Sequence, residues 1–423
     1  MLRRTFCTVA LVGLSLMPLS VVAQSNEKLN LLVGNWAVEP LTPWVKQFTE
    51  FTGIEVEVQG FPFRDLLQTI EVRGKAKATD VDAIFVDAPL VPSYAVRGLI
   101  SSMGPYFEQG EAQEIWANAA IAAASWNGEV WAPPLNNSSQ ILYYNKDLLN
   151  ASGIDAPSSD SEGRITWEQL VENAQTMVDA DAGIWGMSFD QVSRYYQLQA
   201  LPESAGGGSG VDAAGTSVEG MLTNEGWMKA AKFYYDLFNT WNISPKGVSP
   251  DQTQELFASG KAAYFVGGPW NIAAMVEADV NFGMALHPYF QGGTPKTSTN
   301  SWHIGVWNYT ENKDAAAQLV RFLTASPEVA IDYVEQHGQL PAHHAALQNI
   351  AESPRYNSFP RNGIKLATYE AANTAVTRAR TPAFLEFEEI VNNSFEDIRN
   401  GGDPATVLGE AEQRIQSAMR RYR

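Results

Sequence analysis

Apolar positions early in the chain recur with two alternating periods. Leu29-Asn30-Leu31-Leu32-Val33 has the near-continuous apolar character of a strand, and Ile54-Glu55-Val56-Glu57-Val58 alternates residue by residue, as a half-exposed strand does. Between them Trp44, Phe48 and Phe51 recur at helical spacing. Thr42-Pro43 supplies an N-cap with proline at the first helical position, and Gly53 stops the run. A second helix over about 64–72 leads into Val81-Asp82-Ala83-Ile84-Phe85-Val86, a run apolar enough for a parallel strand covered on both faces. The pattern βαβαβ predicts a doubly wound α/β unit. Further on, Thr166-Trp167-Glu168-Gln169 reads as a capping box that opens a helix to about Val178, and Ser326-Pro327-Glu328 opens another. The glycine-rich stretch Gly206-Gly207-Gly208-Ser209-Gly210 predicts a mobile loop.

The first residues change the picture, because they read as an export leader. Arg3 and Arg4 precede an apolar stretch from Val9 to Val22 broken by Ser15 and Pro18, and Val21-Val22-Ala23 is a small-residue cleavage site. Arg3-Arg4-Thr5-Phe6 partly matches a twin-arginine signal. The only cysteine, Cys7, lies inside this leader, so a chain cleaved after Ala23 carries no disulfide, no thiolate nucleophile and no cysteine metal ligand. A periplasmic location follows from these two features together. The 423 residues carry 29 Lys+Arg against 47 Asp+Glu, a net charge of −18, which argues against nucleic acid or an anionic membrane as partner. The length is enough for two or three domains.

The signatures of a nucleophile elbow, a zinc-protease helix, a P-loop and a dinucleotide fingerprint are all missing from the sequence. His337, His343 and His344 cluster, but without cysteine or carboxylate at ligand spacing they do not make a metal site, and no cofactor is expected. Glu386, Glu388 and Glu389 stand too close on one helix to face a common substrate. The aromatic content is more informative, with 12 Trp, 15 Tyr and 19 Phe, several beside Gly, Pro and Asn where elements end. Trp44, Trp167, Trp227 and Trp241 sit in or beside helical stripes and read as core. A tryptophan at a strand end can instead stack on the C–H face of a pyranose, while Asp, Asn or Arg bind adjacent hydroxyls.

Five segments carry a resemblance to a known family. They are 48–56 (FTEFTGIEV), 131–134 (WAPP) with 142–149 (LYYNKDLL), 257–263 (FASGKAA), 267–271 (GGPWN) and 380–383 (RTPA). In that order and spacing the chain resembles the family 1 extracellular solute-binding proteins of ABC importers, which include the maltose-binding proteins. The resemblance implies an α/β fold of two lobes, each a doubly wound sheet with flanking helices, joined by a three-crossing hinge that closes over ligand in a cleft. By position the lobes comprise 28–138 with 286–325, and 139–285 with 326–423. It also implies a monomeric receptor, not an enzyme, that hands a carbohydrate to a membrane permease. A polyol, a glycoside, a glycerol-phosphate diester or a sulfonated sugar is the alternative ligand, and a secreted glycoside-processing enzyme the alternative class.

Ligands of doubly wound sheets lie beyond the carboxyl ends of the strands, which puts Asn35, Trp36, Asp87 and Asn137 at the cleft. The family's ligand positions add Gly268 and Trp270 from the Gly-Pro-Trp motif, Trp302 and His303, and Arg380, which has a surface ion pair with Glu386 as its other reading. Phe189 and Asp190 are expected on the second-lobe wall, and Glu39 is either a further cleft residue or an exposed carboxylate at a helix entry. No cluster of lysine or arginine is evident at the cleft, and a dianionic ligand would want more than Arg380 there.

Overall fold

A computed structural model describes residues 28–422. The expected leader, its expected cleavage site and Cys7 lie outside the described residues. Two four-stranded sheets organise the chain. In the first, β1 (Lys28–Gly34) lies between β2 (Glu55–Phe61) and β3 (Ala83–Asp87), parallel to both. The edge beside β3 is filled by a strand that arrives much later in sequence and runs antiparallel. In the second sheet, β4 (Ile141–Asn145) pairs antiparallel with both β6 (Ala262–Gly267) and β7 (Phe282–Ala285), while β5 (Trp185–Phe189) runs parallel to β6. The late edge strand of the first sheet is β8 (Trp302–Val306).

The βαβαβ expectation matches β1 to β3, with one difference in the first helix. That helix, α1 (Asn35–Thr52), begins directly after β1, seven residues before the expected cap at Thr42, and contains Pro40 and Pro43. Each proline lies past the first turn and removes one intrahelical bond, leaving the carbonyls of Trp36 and Glu39 without their usual amide donor. Its C-terminus is where the pattern put it, at Gly53 in the left-handed region with φ 76°. Helix α2 (Phe63–Ala76) follows β2. The predicted cap at Thr166 is present, its hydroxyl accepting from the Gln169 amide at 3.2 Å.

The glycine-rich stretch is not a free loop. Gly207 and Gly210 are buried, Trp227 Nε1 donates to the Gly208 carbonyl at 3.0 Å, and Tyr195 OH donates to the Ser209 carbonyl at 2.6 Å. A Cβ on Gly226 would sit 2.3 Å from the Gly207 nitrogen, so these glycines serve close backbone packing.

The chain passes between the sheets over residues 132–140 and again over 286–301. Asn137 ties the two passages together. Its Oδ1 accepts from the Ser138 amide at 2.9 Å, the Thr299 hydroxyl at 2.8 Å and the Asn300 amide at 3.2 Å. The Gln140 amide adds a second tie, donating to the Thr297 hydroxyl at 3.1 Å, and a short parallel pair, Thr297–Ser298 with Ala375–Val376, joins the second passage to a later segment. Helix α3 (Pro327–His337), which the expected boundary at 326 assigned to the second lobe, packs on α1, and Trp44 Nε1 donates to Asp332 at 2.9 Å. Helix α4 (Asn362–Asn373) packs on the second sheet, in a core that Val334 of α3 also joins. The contacts with the first lobe therefore run past the expected boundary at 326, because α3 covers the flank of α1.

Candidate functional site

Strand ends build the site. Trp36 follows β1, Phe63 follows β2, Asp87 ends β3, and Trp302 begins the antiparallel β8, so all four reach the same edge of the first sheet. The register sets Trp302 opposite Asp87. Trp302 stacks on the buried Phe85 with centroids 5.6 Å apart and planes at 24°. Trp36 and Phe63 pack on its other sides at 5.2 and 5.9 Å. This makes a continuous aromatic wall, of which Trp36 remains 40% exposed.

The facing wall comes from the second lobe. Trp270, just past β6, donates from Nε1 to Asp190 Oδ2 at 2.9 Å, and Asn271 Nδ2 donates to the same oxygen at 3.1 Å. Tyr196 lies beside it, centroids 6.4 Å apart, and burial pushes its phenol up to about 12. A Cβ on Gly268 would fall 2.0 Å from the Trp270 ring, so the indole folds back onto backbone that only glycine leaves clear.

Between the walls lies a charged floor. Arg378 grips Asp87 with both terminal nitrogens, Nη1 donating to Oδ2 at 2.8 Å and Nη2 to Oδ1. Arg194 Nη2 donates to Asp87 Oδ2 at 3.0 Å and its Nε to Glu388 at 3.3 Å, while its guanidinium sits 4.4 Å from the Phe63 ring centroid. Burial alone would raise the Asp87 carboxyl, but the Arg378 guanidinium, with Arg194 behind it, outweighs burial and holds it below the usual carboxylate range. Asn300 Oδ1 and Arg378 Nε are buried there without a hydrogen-bond partner. The walls and floor enclose a cavity of about 1480 Å³, above the ~300–1,000 Å³ of pockets for drug-sized ligands.

Of the residues expected at the cleft, Trp36, Asp87, Trp270 and Trp302 line this cavity. The others have different placements. Asn35 is exposed at the start of α1 against Gly60, and Glu39 is exposed further along the helix. Asn137 is the hinge tie. Phe189 packs in the core on Trp167 and Tyr234. Asp190 and Gly268 sit behind Trp270 and position it. His303 follows Trp302 in the strand and so turns to the opposite face. There it is buried with Nδ1 2.8 Å from the Ala132 carbonyl, and burial lowers its imidazole to about 4. Arg380 lies in a separate crevice beside Trp126, donating to the carbonyls of Ala122 at 2.9 Å and Ser125 at 2.6 Å, and Glu386 instead accepts from Tyr422 OH at 3.0 Å.

Sequence reasoning missed Phe63, Arg194, Tyr196 and Arg378. Phe63 was within reach, since the rule applied to β1 and β3 applies equally to β2. Arg194 and Arg378 lie on irregular segments 107 and 291 residues from Asp87, and no local pattern joins them. Their presence corrects the expectation that the cleft holds no arginine cluster.

The model of the bacterial extracellular solute-binding protein family matches residues 37–330. The chain belongs to this family. As a family 1 solute-binding protein of an ABC importer, it is similar to the galactooligosaccharide-binding protein of Bacillus subtilis, 24% identical over 390 residues that cover 87% of this chain and 84% of the relative. It is also similar to the maltodextrin-binding protein MdxE of the same organism, 27% identical over 338 residues covering 75% of each. Among solved structures, an ABC substrate-binding protein of Listeria monocytogenes in complex with cycloalternan superposes with a TM-score of 0.81 at 20% identity, covering 93% of this solute-binding protein and 99% of that chain. The likeness establishes the two-lobed fold.

Proposed function

We propose that this solute-binding protein captures a carbohydrate of no net charge in the interlobe cavity and delivers it to the permease of an ABC importer, acting as an exported monomer without chemistry of its own. One observation carries the reading: two aromatic walls, one from each lobe, face each other across a charge-balanced cavity. Five lining arginines, Arg64, Arg194, Arg361, Arg378 and Arg399, stand against five lining carboxylates, Asp65, Asp87, Glu277, Glu335 and Glu396. Indole faces suit the C–H faces of pyranose rings, and the lining residues Asn300, Ser301 and Gln339 carry polar groups of the kind that bind hydroxyls. The sugar-binding names of the two Bacillus relatives support the same class.

A phosphate or sulfonate would have to compete with Asp87 for Arg378 and Arg194. A glycosidase needs an acid of raised pKa opposite a second carboxylate. Asp87 has the opposite shift, and Asp190 holds Trp270. The test is calorimetric titration of protein unfolded and refolded to strip carried ligand, against neutral oligosaccharides, polyols, sugar phosphates and sulfonates. A neutral saccharide that binds and is recovered unchanged is the expected result. Exclusive binding of an anionic solute, or recovery of hydrolysed sugar, would refute the reading.

A further inference from the structure

The cavity is not uniform along its length. Past Trp270 the chain enters the short helix Ile272–Glu277, and Ile272, Ala273 and Val276 line the same cavity. Val334 of α3 and Ile364 of α4 complete an aliphatic arm, so both lobes contribute to it. The lobes meet where α3 ends. A Cβ on Gly338 would lie 3.3 Å from the Pro269 carbonyl oxygen and 3.8 Å from Ile364 Cδ1. Val276 is 46% exposed and Ala273 is exposed as well, so the arm opens along an apolar helix face. At its side Tyr356 is buried and lines the cavity, with a hydroxyl that has no hydrogen-bond partner.

The aliphatic side chains of this arm cannot satisfy sugar hydroxyls, and of the charged groups that line the cavity beside it, Glu277, Glu335 and Arg361, Glu335 is already paired with Arg355 at 2.5 Å. A hydroxyl pressed against Val276, Val334 and Ile364 loses its water and gains no partner, whereas an alkyl or aryl group there is taken out of water favourably. Resting on the carbohydrate reading above, we infer that the aliphatic arm takes an alkyl or aryl aglycone, so that the transported solute is a glycoside with an apolar substituent rather than a free oligosaccharide. The aromatic walls hold the sugar rings, and the arm reads what is attached to them.

The experiment compares matched glycosides on the ligand-stripped full chain by calorimetry: methyl against p-nitrophenyl α-D-galactopyranoside, and methyl against p-nitrophenyl α-maltoside. The aryl member of a binding pair is expected to be at least about tenfold tighter, with a more negative heat-capacity change. Val276→Asp places a carboxylate in the arm at an exposed position and is expected to bring the aryl-to-methyl ratio to about one. Ala273→Glu checks the same arm from the next turn, and circular dichroism verifies that both variants fold. Equal affinities for methyl and aryl members would overturn the aglycone inference and leave the carbohydrate reading standing. A preference that survives both substitutions would also overturn it, because the aryl group would then sit elsewhere. Failure of every glycoside and every free oligosaccharide to bind would overturn the carbohydrate reading, and this inference with it.

Discussion

Gly34-Asn35-Trp36 and Gly268-Pro269-Trp270 are the same device in two lobes, held in different ways. In each, a glycine at a strand end leaves room for the tryptophan two residues on to fold back, with an added Cβ 2.2 Å from the Trp36 ring or 2.0 Å from the Trp270 ring. Trp270 is then fixed by a hydrogen bond to the buried Asp190, whereas Trp36 rests on Trp302 and Phe63 through ring contacts. Packing alone positions the first-lobe indole and leaves it adjustable. A directional bond positions the second and makes it rigid, which is the preorganisation that favours tight binding.

The comparison holds only while both corners face a common floor, so the largest effect should come from removing it. Asp87→Ala leaves Arg378 charged and buried, since Asp87 is its carboxylate partner. A loss of about 3–5 kcal/mol is expected by urea unfolding, as for other broken buried pairs. A loss below about 1 kcal/mol would mean that the floor does not join the lobes. Acid should weaken the same region. The His303 imidazole, lowered to about 4 by burial, binds its proton more weakly in the folded chain than the unfolded value of 6.5. Its contribution is therefore full above pH 6.5 and is lost as pH falls toward 4. Between pH 7.5 and 5 this amounts to roughly 2 kcal/mol, and His287, lowered by burial to about 3, acts in the same direction. His303→Asn, which can still donate to the Ala132 carbonyl, should flatten the dependence of the urea midpoint on pH. An unchanged slope would remove His303 from the account.

How far the site was legible follows from the same residues. The first sheet was readable because its strands and helices alternate locally, and the carboxyl-end rule then finds Trp36 and Asp87 without further knowledge. Trp270 and Trp302 came through the family motif. The second sheet was not readable from pattern, since its strands pair antiparallel across long stretches of chain, as β4 does with β6 and β7. Asp190 and His303 show a different limit. Each is adjacent in sequence to a site element, yet one acts through Trp270 and the other turns into the core. Sequence proximity alone does not separate lining from support. Arg194 and Arg378 are set by tertiary pairing and could not have been found locally.

Gly268→Ala and Gly34→Ala break the corners symmetrically. Because the added methyl must expel Trp270 from its Asp190 bond, Gly268→Ala should weaken sugar binding about thirtyfold, near 2 kcal/mol from a lost stacking face and a lost hydrogen bond. Gly34→Ala should cost about threefold to tenfold, since Trp36 is exposed and can settle elsewhere on Trp302. Equal losses would show that the bond to Asp190 contributes nothing. Asp190→Asn isolates that bond. The amide oxygen can still accept from Trp270, but the charge is gone, so about 1 kcal/mol of affinity should be lost in titration.

The smallest effect on binding is expected from Arg380→Gln. The resemblance put this arginine at the ligand, and here its terminal nitrogens are occupied by the carbonyls of Ala122 and Ser125, in a crevice separate from the main cavity. Burial lowers its guanidinium pKa, and no carboxylate among the described residues pairs with it. The substitution therefore removes two hydrogen bonds between a first-lobe helix end and the segment leading into the second-lobe helix Phe384–Arg399. About 1 kcal/mol of stability should go with them, while saccharide affinity should stay within about twofold. Loss of affinity on the scale of Gly268→Ala would mean that Arg380 swings into the cleft when ligand binds, and that the two aromatic walls share the sugar with a third, charged contact.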